Sequence, residues 1–121
     1  MWKINLFKKK EDKQAVKEPS KEDIKFSALR KIKRIRFRKD AIHELSDALR
    51  DFFSEYFAIG YEFTVEELKD ELEKKGIKRI VIESVRYVLD NLDNKKFYSE
   101  GIKKSEFIEI VEEVELVINI I

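Results

Sequence analysis

Apolar residues recur at helical spacing from Asp40 onwards, which is the pattern of one buried helix face. The first set begins after Asp40, a residue type that caps helix N-termini, and Gly60 is expected to end the helix. This set comprises Ile42, Leu45, Leu49, Phe52, Phe53 and Tyr56. Three aromatic rings in one continuous stripe indicate a helix that packs in the core.

Local signals define both ends of a second helix. Thr64 and Glu67, three residues apart, form the pattern of a capping box. Gly76 stands where a helix can end in the left-handed conformation, and Ile77 can then contact Leu72 as in a Schellman motif. The sequence therefore predicts a helix between Thr64 and Gly76.

Two further apolar sets predict a third and a fourth helix. The third-helix set is Val81, Val85, Val88, Leu89 and Leu92, although residues 80–82 alone also fit a short strand. Residues 93–96 are expected to end that helix, and Ser105 can cap the last one. The last set is Phe107, Ile110, Val111, Val114, Val117, Ile118 and Ile121. We expect the apolar end, Leu116–Ile121, either to pack across the first helix or to form a contact in an oligomer.

A basic segment, Ile24–Lys39, precedes these helices. Phe26, Leu29, Ile32 and Ile35 recur every three residues, which favours an amphipathic helix, and alternation over residues 31–38 also fits a strand. The cations of this segment are our candidate polyanion-binding residues: Lys25, Arg30, Lys31, Lys33, Arg34, Arg36, Arg38 and Lys39.

Residues 1–23 are expected to form a disordered charged tether, because Lys8–Asp23 holds few apolar residues to bury. The sequence thus predicts an all-α protein, a small bundle of four to five helices with a basic, partly disordered N-terminal arm. Its parts are the tether (1–23), the basic amphipathic segment (24–39) and an acidic helical domain (40–121).

The two parts of the chain carry opposite charge. Residues 1–39 hold 15 Lys or Arg and 5 Asp or Glu, a net charge of +10, whereas residues 40–121 hold 11 and 20, a net charge of −9. Such a split indicates either a tail that binds polyanions or an arm that folds back on its own acidic body.

Composition argues against catalysis. The chain has no cysteine, one histidine (His43) and three separated glycines, so a thiol nucleophile, a zinc ribbon and a phosphate-binding loop are excluded. Carboxylates cluster at Glu66–Glu71 and Glu109–Glu113 without an accompanying histidine, which favours a solvated acidic face over a metal site. We expect no enzymatic activity, no metal and no cofactor. The bias towards Lys and Glu is common in heat-adapted proteins.

Three stretches carry a resemblance to a known family: Leu49–Phe53, Tyr61–Leu68 and Phe97–Ser99, the last followed by Ile102 and by Ser105–Glu106. With them, residues 40–121 resemble a helical domain at the cytosolic ends of archaeal and bacterial membrane proteins. Those proteins belong to transglutaminase-like or MoxR ATPase and von Willebrand A gene neighbourhoods. The resemblance implies an all-helical adaptor with no catalytic residues to carry over.

The second and third helices also resemble the helix-turn-helix pair of winged-helix proteins. The recognition helix would then carry Arg79 and Arg86 against Glu83 and Asp90. A nearly neutral surface of this kind argues against DNA readout by that helix.

These observations predict a non-enzymatic interaction or adaptor domain with an unknown protein partner. Its basic arm, residues 24–39, would recruit it to an anionic membrane surface or an acidic partner, and Trp2–Phe7 beside Lys8–Lys10 would add an interfacial anchor. The alternatives are a nucleic-acid-binding protein and a basic helix that packs on its own body. No apolar run is long enough to span a bilayer, so we expect a cytoplasmic protein, peripheral to the inner membrane face in the first case.

Overall fold

A computed structural model describes residues 19–96 and 101–121. These residues form five α-helices and no strand, which confirms the all-α fold class. The helices are α1 (Lys21–Lys33), α2 (Ala41–Tyr56), α3 (Val65–Lys74), α4 (Arg79–Lys96) and α5 (Lys104–Ile120). Helix α2 packs against α1, α4 and α5, helix α3 packs on α4, and α5 closes the bundle against α4 and α1.

Helix α1 differs from the sequence prediction in its bounds and in its buried face. The Ser20 hydroxyl accepts from the Asp23 N–H and the Asp23 carboxylate accepts from the Ser20 N–H, so Pro19–Asp23 belongs to the helix start and not to a tether. The rest of the predicted tether lies outside the described residues. The helix ends at Lys33, six residues before the predicted Lys39.

The face of α1 that enters the core consists of Ile24, Ala28 and Ile32, at a spacing of four. The sequence pattern grouped Phe26 with Ile32 on one side of the helix, but Ile32 is buried and the Phe26 side chain is 64% exposed. Since α1 packs on α2 and α5, the hydrophobic core begins at Ile24 and not at Asp40.

The apolar stripe predicted for α2 is confirmed: its first five members are buried in the core, and Tyr56 is half-buried against it. Its two ends differ from the prediction. Asp40 occupies the N-cap position, but its side chain makes no capping hydrogen bond. The helix ends at Tyr56, before the Gly60 that was expected to end it, and Ala58, with φ of 55°, takes a left-handed conformation.

The turn between α3 and α4 follows the sequence signals closely. The capping box of Thr64 and Glu67 is present, and Gly76 has φ of 75°. The Ile77 N–H donates to the Leu72 carbonyl oxygen at 3.1 Å, which is the long hydrogen bond of a Schellman motif. Helix α4 then includes residues 80–82, so these are not a strand, and continues through residues 93–96, which were expected to end it.

Helix α5 begins at Lys104, with Lys103 at the N-cap position predicted for Ser105. Its inward face is buried as expected, and the list of these residues is Phe107, Ile110, Val114, Val117 and Ile118. In the apolar end, Val117 and Ile118 lie in the core whereas Leu116 and Ile120 are exposed, and a contact in an oligomer stays a prediction. None of the described helices is long and apolar enough to cross a membrane.

Candidate functional site

The candidate cations do not share one helix face. Lys25, Arg30, Lys31 and Lys33 lie on α1, Arg34 follows at its C-cap, and the remaining three belong to the connection to α2. Because α1 ends at Lys33, the second half of the basic segment is a loop rather than a continuation of the helix. The positive charge therefore spreads over one side of α1 and over the loop that follows.

Three of these cations contact carboxylates of the chain's own acidic body. Lys31 Nζ lies 3.4 Å from Asp51 Oδ2 on α2, and Lys33 Nζ lies 3.2 Å from Glu115 Oε2 on α5. Arg38 donates from Nε (2.9 Å) and Nη2 (2.6 Å) to Glu44 Oε2. Part of the +10 and −9 charge split is thus neutralised within the molecule.

Two other cations contact aromatic rings. The Lys25 Nζ lies 6.0 Å from the centre of the Tyr56 ring, which also receives Lys21 Nζ at 4.7 Å. The Arg30 guanidinium carbon lies 5.1 Å from the centre of the Phe26 ring on the same helix. Contacts of this kind are weakly stabilising at exposed positions and leave the charge available to an anion.

Three arginines of the candidate set, all exposed, line up with exposed aromatic side chains. Phe26, Arg30 and Arg34 are spaced by four residues, so they follow one stripe of α1, and Arg36 and Phe37 continue in the loop. Among the described residues, neither Arg34 nor Arg36 forms an ion pair. We call these five residues the α1 ridge. Its two phenylalanines are 64% and 42% exposed, and Phe37 also contacts the Phe107 ring at 5.5 Å.

Several carboxylates of the two acidic clusters contact other groups of the protein. In the first, Glu66 Oε2 pairs with Arg86 at 2.8 Å, Glu67 caps α3, and Glu71 accepts from the Tyr61 hydroxyl at 2.9 Å. That hydrogen bond holds the proton on the phenol and raises the pKa of Tyr61. In the second, Glu113 accepts from Asn91 Nδ2 at 3.1 Å. Within the described part of the chain, no three His, Cys, Asp or Glu side chains are grouped as a metal site.

The helix-turn-helix interpretation rests on α3 and α4, which are joined by a short turn as expected. Both arginines of α4 are engaged with carboxylates: Arg79 Nε lies 3.4 Å from Glu83, and Arg86 contacts Glu66 and Asp90. No strand that could form a wing is present in residues 19–96 or 101–121. Helix α4 therefore offers a neutral surface, in agreement with its sequence.

Sequence reasoning missed the contacts of Arg50. Its Nη1 donates to the Phe63 carbonyl oxygen at 2.8 Å, its Nη2 to Asp93 Oδ2 at 3.3 Å, and its guanidinium lies 5.5 Å from the Phe63 ring centre. These contacts fix the loop after α2 to the end of α4, beside an open cleft of about 620 Å³ that Asp47 and Asp51 also line. Asp93 is 43 residues from Arg50 in the chain, so no local sequence pattern predicts this contact.

Comparison of the chain with models of known protein families, with curated protein sequences and with solved structures gave no match. The candidate site is therefore assigned from the geometry of this molecule alone. On that basis the α1 ridge, which combines exposed aromatic rings with cations that have no carboxylate partner among the described residues, is the strongest candidate.

Proposed function

We propose that this protein is a non-enzymatic interaction domain that binds anionic membrane surfaces reversibly through the α1 ridge. The observation that carries this proposal is the exposure of Phe26 between cations. A phenylalanine ring gains free energy on entering the interface between lipid headgroups and acyl chains, while flanking arginines contact the phosphates. Phosphate binding alone would explain the arginines but not the ring.

The expected affinity is modest. Each cation near an anionic leaflet contributes about 1 kcal/mol, so Arg30, Arg34 and Arg36 together supply about 3 kcal/mol. Burial of the exposed part of Phe26 adds about 1–2 kcal/mol. A total of about 4–5 kcal/mol corresponds to a dissociation constant between about 0.2 and 1 mM, which describes a reversible peripheral contact.

The ion pairs beside the ridge are compatible with this role. Lys31 and Asp51 are both largely exposed, and exposed pairs of this kind contribute little to stability. Their exchange for lipid phosphate therefore costs the fold little. Within this proposal the buried face of α1 holds the helix on the body while its opposite face meets the membrane.

Co-sedimentation of the whole chain with lipid vesicles tests the proposal. We expect binding to phosphatidylglycerol vesicles that weakens as salt is added, and much weaker binding to phosphatidylcholine vesicles. Arg34→Glu should lower the partition constant about 30-fold, because it reverses one charge. Phe26→Ser should lower it about tenfold without loss of thermal stability, because the ring is mostly exposed.

Lys78→Glu is the matched control, since it makes the same charge change at an exposed lysine in the turn between α3 and α4, outside the α1 ridge. It should retain binding. Equal losses in Lys78→Glu and Arg34→Glu, or no binding to phosphatidylglycerol at low salt, would refute the proposal. If the chain binds duplex DNA, and if Arg34→Glu weakens that binding whereas Phe26→Ser leaves it unchanged, the nucleic-acid function is favoured instead.

A further inference from the structure

An apolar groove lies between α4 and α5 and is lined by none of the α1 ridge residues. Its volume is about 460 Å³, and it is lined mainly by apolar atoms of Ile80, Tyr87, Leu116 and Ile120. These side chains are exposed by 73%, 62%, 63% and 47%, so four large apolar groups share one open surface. A contiguous patch of this kind usually marks a binding site.

We propose that this groove binds the chain's own N-terminal segment, Trp2–Phe7. The segment offers the apolar side chains of Trp2, Ile4, Leu6 and Phe7 within six residues. The proposal rests on the position of the groove, on the length of chain that precedes α1 and on complementary charge.

The groove and the start of α1 lie at the same end of the bundle. Asn91–Glu113 and Lys95–Glu106 contacts show that α4 and α5 are antiparallel, so the start of α4 adjoins the end of α5. Lys33 contacts Glu115, and the Phe37 ring contacts the Phe107 ring. From Lys33 to Phe37 the chain is therefore antiparallel to α5. Helix α1 is therefore antiparallel to α5, and its start points towards the end of the bundle at which α5 ends and the groove lies.

The intervening chain is long enough for the segment to reach the groove. Residues 8–18 number eleven and can extend to about 36–40 Å. Helix α5, with 17 residues, is about 25 Å long. The extended length of residues 8–18 therefore exceeds the length of this helix. Docking within one molecule also proceeds at a high effective concentration, which favours it over association of two chains.

The charges of the two surfaces are complementary. Residues 1–10 carry four lysines and no acidic residue. Helix α5 carries five carboxylates and one lysine, and Glu83 and Glu113 line the groove itself. Apolar side chains in the groove with lysines at its acidic border give both hydrophobic and electrostatic attraction.

Fluorescence of the whole chain tests this inference directly, because Trp2 is the single tryptophan. In the absence of lipid, we expect blue-shifted emission and weak quenching by acrylamide, both independent of protein concentration. Leu116→Ser and Ile80→Ser should shift the emission to longer wavelength and raise the quenching constant towards that of free tryptophan. Both positions are mostly exposed, so the fold should persist, which circular dichroism checks.

Ile108→Ser is the control, since Ile108 is an exposed apolar residue of α5 outside the groove. It should leave Trp2 shielded. The inference fails if Trp2 is fully accessible in the unmodified chain, or if its shielding survives both groove substitutions. Shielding that disappears on dilution together with a dimeric mass would assign the groove to a second copy of the chain, and so also overturn docking within one molecule.

Discussion

Ser46, in the middle of α2, provides the sharpest test of the core. Its side chain is fully buried, and within the described residues its Oγ has no hydrogen-bond partner. A buried hydroxyl without a partner costs about 1–3 kcal/mol, and alanine is a better helix former than serine by about 0.5 kcal/mol. We therefore expect Ser46→Ala to raise the free energy of unfolding by about 1.5–3.5 kcal/mol.

Thermal unfolding followed by circular dichroism measures this gain. For a domain of this length each kcal/mol corresponds to about 4 °C, so Tm should rise by about 6–14 °C. Ser27→Ala is the matched control, because Ser27 is exposed in the middle of α1 and its substitution changes helix propensity alone. It should raise Tm by about 2 °C. If Ser46→Ala gains no more than Ser27→Ala, the hydroxyl has a partner in solution and the reasoning is refuted.

Two further predictions concern polar contacts that hold the helices together. Arg50→Lys should lower the free energy of unfolding by about 1–2 kcal/mol in urea denaturation, because a lysine cannot reproduce the fork that joins the Phe63 carbonyl to Asp93. Glu106 accepts from the Lys103 N–H at the start of α5, which holds the pKa of its carboxyl below the ordinary 4.5. A lowered folded-state pKa contributes stability above the ordinary value and loses it as pH falls through the lowered one, so Glu106→Gln, which cannot titrate, should flatten the decline of Tm below about pH 4.5.

Each of these has a control in the same molecule. Arg79→Lys alters an exposed pair with Glu83 and should leave the urea midpoint unchanged, so equal losses at Arg50 and Arg79 would contradict the assigned role of Arg50. Glu109→Gln, an exposed glutamate of α5 outside the first turn, should leave the acid decline of Tm as it is. If Tm falls equally below about pH 4.5 in the unmodified chain, in Glu106→Gln and in Glu109→Gln, the ionisation of Glu106 is not coupled to folding.

Local chemistry made much of the fold predictable. Thr64 with Glu67, and Gly76 with Ile77, act within one helical turn, so their hydrogen bonds follow from the sequence alone. The apolar stripe of α2 was equally clear, because large side chains at helical spacing have one way to be buried together. The end of α2 was predicted from a residue type alone, Gly60. In the structure the helix ends earlier, at Tyr56, and Ala58 takes the left-handed conformation.

Features decided by tertiary packing were harder to predict. In α1 the spacing of large apolar residues pointed to Phe26, yet the neighbouring helices cover Ile24 and Ala28, and alanine carries little hydrophobic signal in a sequence. The candidate cations show the same difficulty. Lys33 pairs with Glu115 on α5, whereas its neighbour Arg34 forms no ion pair among the described residues, and the sequence pattern does not distinguish the two. The partners of Arg50 lie on other elements and could not be read from the residues around it.

The packing of α1 on α5 has a consequence for synthesis. Helix α1 leaves the ribosome long before α5, the last of the described helices to be translated, and it cannot complete its contacts until α5 has emerged. Until then the nascent chain presents Ile24, Ala28 and Ile32 only partly covered, the state in which chaperones bind and aggregation begins. A premature stop codon before α5 should therefore yield an insoluble product rather than a shorter folded bundle.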